Sequence, residues 1–239
     1  MQYALYYWPS IPGRGEFVRL ALEAGGATYR DVGREPDGLE QIEAFLNGEA
    51  TATPPFAPPF LVSETRVISH VANILRTLGP ELELVPDDSY ARDWAHSLQL
   101  TLTDFVAEIH DTHHPLGPSL YFDEQKTEAR RRAVTFLQDR LPLFLGYFEQ
   151  ILDNNPVSDC HLVGDRLSYV DTSLFQVMMG LRYAFPNAMA DIHPTVAGLD
   201  RVITAVRTHP RLRDYLDSPR RQPFNENGIF RHYPMLDQT

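Results

Sequence analysis

The chain is poor in cysteine, lysine and long apolar runs, and each shortage removes a class of protein. A single cysteine, Cys160, in 239 residues excludes an intramolecular disulfide framework, a CxxC redox pair and a cysteine zinc site. Any thiol chemistry must take its sulfur from a ligand. Only one lysine, Lys126, is present, so nearly every fixed cation is an arginine, whose fork suits carboxylates. No apolar run approaches the ~18 residues of a membrane span, and the start MQYALYYWPSIP lacks the basic region and long apolar stretch of a signal peptide. A cytoplasmic protein with no membrane contact is the default expectation. The net charge of -11 disfavours nucleic acid as a partner.

What is present suffices for a substantial core. At 43% apolar composition, a chain of this length divides into two domains of unequal size. Residues 1–79 read as mixed α/β: a strand near 2–8, a helix near 14–24, a weaker helix at 39–46, short strands at 60–62 and 66–68, and a helix over about 70–78. Residues 80–89 carry Pro80 and Pro86 without periodicity and suit a linker. From residue 90 to 239 the pattern is helical. Trp94, Leu98, Leu102, Phe105, Val106 and Ile109 make one long stripe, and a second runs from Ala133 to Leu152. The tail from Ser218 onward is rich in turn formers and is expected to wrap back over the body.

Three motifs carry chemical information. In LYYWPSIPGRGEFVRLALEAGG, residues 5–26, an apolar run ends at Tyr7 and Trp8, is broken by Pro9 and Pro12, and passes at Gly13 into a helical pattern stopped by Gly25 and Gly26. A tyrosine at this junction faces helix N–H groups without intrahelical acceptors, so a bound anion, a thiolate included, meets both a phenol and the positive end of a dipole. Tyr6 points to the opposite side of the strand from Tyr7, and Ser10 is a rival hydroxyl. Second, Ser168 lies three residues before Asp171 ahead of an apolar run, a capping box. Third, HDTHHP, residues 110–115, places His110 one turn from His113 and His114. That spacing permits a metal, but a helix ending at Pro115 with imidazoles against its dipole is the commoner arrangement, and no metal is expected.

Taken together, these pieces resemble the cytosolic glutathione transferases over nearly the whole chain. Tyr7-Trp8-Pro9 followed by Gly13-Arg14 and Arg19 is similar to the tyrosine-type start of the alpha, mu, pi and sigma classes, with one extra residue in the turn, in a member of bacterial type. Pro59-Phe60-Leu61 matches the family's cis-proline element, and Ser69-His70-Val71-Ala72 runs against its Gln-Ser element. The resemblance implies a thioredoxin-like α/β N-terminal domain, an all-α C-terminal domain, and glutathione as co-substrate with a hydrophobic electrophile in the cleft between them. It implies that Tyr7 donates its hydroxyl hydrogen to the glutathione sulfur. A thiol with a pKa near ~8.5 is only a few per cent thiolate at neutral pH, and lowering that pKa by about two units takes roughly 2.7 kcal/mol. One hydrogen bond to the anion, ~1.5–3 kcal/mol, plus a helix end supplies it.

The other implied roles follow residue by residue. Arg14, Pro58, Pro59, His70 and Val71 contact glutathione, and Asp104 reaches its γ-glutamyl amine across a homodimer interface, its alternative being a solvated helical charge. Trp8, His113, His114, Tyr121 and Phe122 border the electrophile, and Phe56 plugs the partner protomer or else packs under its own loop. Three departures weaken the match: Pro58 has no N–H, Val71 lacks the serine hydroxyl, and no lysine is available for the glycyl carboxylate, leaving Arg14 or Arg34. A transferase-fold binding protein without efficient catalysis and a glutathione-dependent isomerase or peroxidase are therefore the competing expectations.

Overall fold

The computed structural model describes residues 3–64 and 66–238. Four short strands, β1 (Tyr3–Tyr6), β2 (Tyr29–Asp31), β3 (Phe60–Ser63) and β4 (Arg66–Ser69), form one sheet in the order β2-β1-β3-β4. β1 runs parallel to β2 and antiparallel to β3, which pairs antiparallel with β4. The parallel pair needs a crossover, supplied by helix α1 (Gly15–Ala24). Helix α2 (Gly38–Leu46) follows β2, and α3 (Val71–Glu81) follows β4.

The two-residue period of β1 sorts its side chains between two cores. Tyr3 and Leu5 join the larger core with Phe17, Leu20, Leu61 and Leu75, between the sheet and the helical remainder. Tyr6 faces the other way, into a small cluster with Val32, Ile42 and Phe60, where its ring stacks on Phe60 at 4.6 Å between centroids. β2 escaped the sequence reading because Tyr29-Arg30-Asp31 has no fully buried member; its pairing with β1, not an apolar pattern, makes it a strand.

The remainder is helical: α4 (Ser89–Asp111), α5 (Lys126–Thr135), α6 (Leu141–Asp153), α7 (Tyr169–Ala184), α8 (Pro186–Ile192), α9 (Leu199–Thr208) and α10 (Pro210–Leu216). Helix α3 continues to Glu81, past the expected end near Leu78, with Pro80 in its last turn. Gly79 permits this: without a Cβ it escapes the clash that usually expels the residue before proline from helical geometry, and a Cβ there would meet the Tyr169 ring at 2.8 Å. The stripe expected as one helix over 133–152 is divided by a wide π turn, Phe136–Arg140. Pro142, two residues past the turn and in the first turn of α6, has no N–H to donate back to it.

Asp88 starts α4 by accepting the Ala91 N–H at 2.7 Å. Ser168 and Asp171 cap α7 reciprocally, with the Ser168 N–H donating to Asp171 Oδ2 at 2.7 Å and the Asp171 N–H donating to Ser168 Oγ at 3.4 Å. The central α7 is buried along most of its length and packs on α1, α4 and α9. No helix is long and apolar enough to cross a membrane among the described residues.

Candidate functional site

Tyr7 sits just past β1, where the chain leaves the sheet and turns toward α1. It is 4% exposed, and its hydroxyl accepts the Arg14 N–H at 2.8 Å. Two glycines make the approach possible. A Cβ on Gly13, whose φ is +42°, would lie 2.1 Å from the Tyr7 hydroxyl, and one on Gly15 would lie 2.5 Å from its ring. The phenol thus spends a lone pair on the opening of α1, and its own proton is given to no acceptor among the described residues. Burial, the largest influence, pushes the Tyr7 pKa up, against the Arg14 N–H and the charges of Arg14 and Arg19. Tyr7 is therefore a neutral donor through the ordinary pH range.

A buried ionic frame holds α1 from behind. Glu16, fully buried, accepts from the Tyr215 hydroxyl at 2.9 Å and lies 3.5 Å from both Arg19 and Arg221. Burial raises the Glu16 pKa, while these partners pull it back down. Arg19 also grips Asp31 at 2.8 Å, tying α1 to the end of β2. The guanidinium of Arg19 lies 5.8 Å from the centre of the Tyr7 ring.

In front of this turn lies a groove of about 310 Å³ lined by Arg14, Phe56, Ala57, the Pro58–Pro59 pair, His70 and Val71. The Pro58–Pro59 peptide bond is cis. His70 has φ +68° and makes no side-chain cap to α3, so the first N–H groups of that helix remain available to a ligand. A smaller cavity of about 50 Å³ shares Arg14, His70 and Val71 and is closed on the far side by Gln99, Leu102, Thr103 and Val106 of α4. The structure thus brings together Arg14, Pro58, Pro59, His70 and Val71, with Tyr7 behind them through its bond to Arg14.

The remaining predicted site residues are dispersed. Trp8 is partly exposed beside Tyr7, Asp104 is exposed on α4, and Tyr121 is 81% exposed. Phe122 stacks on Tyr233 of the tail, centroids 3.8 Å apart. His113 and His114 are buried rather than lining either cavity. His113 Nε2 bonds to the Ile229 carbonyl at 2.8 Å, and its other ring nitrogen meets Nδ1 of His114. Because Nε2 donates to the carbonyl, Nδ1 of His113 accepts and His114 donates. Both imidazoles lie just past the end of α4 at Asp111, and His113 is tied to the tail at Ile229, not placed on a cavity wall. No cluster of three or more His, Cys, Asp or Glu able to hold a metal occurs among the described residues.

Sequence reasoning missed Gln99, which stands on the cavity wall 1% exposed. Its signal was legible: Ala95, Gln99, Leu102 and Val106 recur at helical spacing, so Gln99 is a polar residue set into an apolar face.

Comparison with known proteins bears on the same geometry. Residues 110–219 match the family described as Glutathione S-transferase, C-terminal domain. The chain is 25% identical over 233 residues to glutathione S-transferase P 2 of Bufo bufo, covering 95% of this chain and 98% of that one. It is 22% identical over 217 residues to a glutathione S-transferase of Plasmodium falciparum, covering 89% and 93%. Among solved structures, the Pi-class glutathione S-transferase of Onchocerca volvulus superposes with a TM-score of 0.73 at 19% identity, over 95% of this chain and 99% of that one. That superposition establishes a shared fold.

Proposed function

We propose that this chain, which carries the fold and the C-terminal domain of the glutathione transferases, conjugates the thiolate of glutathione to hydrophobic electrophiles. The observation that carries the reading is the Tyr7 hydroxyl, which accepts the Arg14 N–H at 2.8 Å while Arg14 also walls the groove. In the tyrosine-type reading, glutathione lies along that groove with its sulfur toward Tyr7. The phenol donates to the sulfur, the start of α1 adds its dipole, and the thiol sheds its proton to solvent at neutral pH. The thiolate then attacks the electrophile, forming a C–S bond as the leaving group departs with its electron pair.

The groove supports a position for each part of the tripeptide. The Pro58 carbonyl faces the cysteinyl N–H, the uncapped start of α3 at His70 and Val71 receives the γ-glutamyl carboxylate, and Arg14 serves the glycyl carboxylate. Trp8 contributes to the electrophile side. Asp104 and Phe56, both exposed, suit a homodimer in which each protomer completes the other, in a cytoplasmic protein whose domains divide at residues 1–79 and 90–239. Pro58 and Val71 each remove one polar partner for glutathione, at ~0.5–1.5 kcal/mol per neutral hydrogen bond, which favours as second reading a binding protein that retains glutathione without turning it over.

Calorimetric titration with glutathione followed by a conjugation assay with an aryl halide separates these. Binding with turnover supports the enzyme, and binding without turnover of any electrophile tried supports the second reading. A protein that binds no glutathione at millimolar concentration fits neither.

A further inference from the structure

Gln99 has an environment that no structural role explains. Its side chain is 1% exposed, yet its Oε1 has no hydrogen-bond partner. A buried carboxamide is ordinarily bonded, and an exception asks for a water or a ligand. Gln99 stands on the wall of the 50 Å³ cavity, across from Arg14, His70 and Val71. The same three residues also line the larger groove. The cavity is too small for a peptide but suits the charged head of one.

The charges around it select the head. Arg14 and the uncapped N-terminus of α3 present positive potential and free N–H groups on one side. Val71, without a hydroxyl, adds nothing further. Gln99 faces them with an acceptor oxygen and a donor nitrogen on one rigid group. A lone carboxylate would satisfy the helix and leave the carboxamide oxygen orphaned. An α-amino acid head satisfies both, with its carboxylate on the helix and its ammonium on Gln99 Oε1.

We infer that Gln99 is a binding residue for the α-amino-carboxylate head of the co-substrate, accepting a hydrogen bond from its ammonium within a single chain. The inference rests on the glutathione reading above and adds to it a residue from the helical part of the same protomer. It also gives the helical part of the same protomer, and not only Asp104 of the partner subunit, a hand in recognising the co-substrate.

The test is a two-by-two calorimetric comparison of glutathione and its deaminated analogue, γ-glutaryl-cysteinyl-glycine, on the wild-type protein and on Gln99→Met, which keeps side-chain volume. Wild type is expected to bind glutathione about tenfold more tightly than the analogue, one charge-assisted hydrogen bond converted to affinity. Gln99→Met is expected to bind glutathione about tenfold more weakly than wild type and to treat both ligands alike. The unliganded variant should melt no lower than wild type, because an unbonded carboxamide has been removed from the interior. Gln99→Glu, which keeps the acceptor, should still prefer glutathione.

If wild type binds glutathione and Gln99→Met keeps the wild-type preference for the ammonium, Gln99 holds only a water and the inference is overturned. Equal weakening of both ligands with a lowered melting temperature assigns Gln99 a structural role and overturns it as well. Failure of wild type to bind glutathione at all removes the underlying reading instead.

Discussion

Gly13 and Gly15 are as necessary to the site as the tyrosine they enclose. Removing only the Tyr7 hydroxyl, as in Tyr7→Phe, should cut turnover tenfold or more, about 1.4 kcal/mol in the barrier, with little change in folding or in glutathione affinity. A steady-state assay with an aryl halide measures this, and wild-type turnover in the variant would move the role to Ser10 or to backbone donors. Gly13→Ala approaches the same bond from the other side. It strains a residue at φ +42° and drives a methyl onto the hydroxyl, so the Arg14 N–H bond must break. The conformational cost alone is roughly 1 kcal/mol, and turnover should fall as far as in Tyr7→Phe. Thermal melts and kinetics on the same preparation check it, since a purely structural glycine would lower the melting point without touching turnover.

At the scale of elements, the end of α4 and the tail that covers it make a pH-sensitive joint. Burial pushes the pKa of His113 down to about 2 and that of His114 down to about 4, against ~6.5 in an unfolded chain. Below pH ~6.5 the unfolded chain takes up protons that the folded one refuses, so stability should fall as pH drops from 6.5 toward 4 for His114 and on toward 2 for His113, and return on the way back up. His113→Asn should lower the melting point at pH 7.5, where the bond to Ile229 is weakened, and narrow the difference between melts at pH 7.5 and pH 5. An unchanged difference would assign the acid sensitivity to other groups.

The same scale explains what could be read without coordinates. β1, α1 and α3 announce themselves because one face of each is apolar at the period of its structure, and Ser168 with Asp171 marks the start of α7 by side-chain chemistry three residues apart. β2 has no such face, and the π turn before α6 arises where Pro142 interrupts a pattern that periodicity alone reads as continuous. Gln99 was visible as a polar residue on an apolar stripe, but the cavity that gives it meaning is assembled from segments far apart in sequence.

At the scale of the whole molecule, Phe56 stands out at 97% exposed on its proline-framed loop. It does not pack beneath that loop, which leaves the partner protomer as its proposed destination. Burying a phenylalanine contributes ~1.5–3 kcal/mol, and a two-fold dimer buries two. Phe56→Ser should therefore dissociate on dilution where wild type does not, a difference that sedimentation at sub-micromolar concentration detects. A variant that stays dimeric there would show that Phe56 is not the plug. The composition of residues 1–79 and 90–239 reveals a division of structural character, but not what, if anything, receives Phe56.

The tail closes over the turn that carries Tyr7. Gln222 donates to the Pro9 carbonyl, Asn225 donates to the Ser10 carbonyl at 3.0 Å, 215 positions away in sequence, and Arg34 donates to the Arg220 carbonyl. Protein synthesis proceeds at roughly 5–20 residues per second, so the turn exists for about 10–40 s before its covering segment has been made. During that interval the Pro9 and Ser10 carbonyls have no tail partner and remain solvated. An interrupted translation product that contains every groove residue would still lack the bonds from Gln222 and Asn225 to the turn.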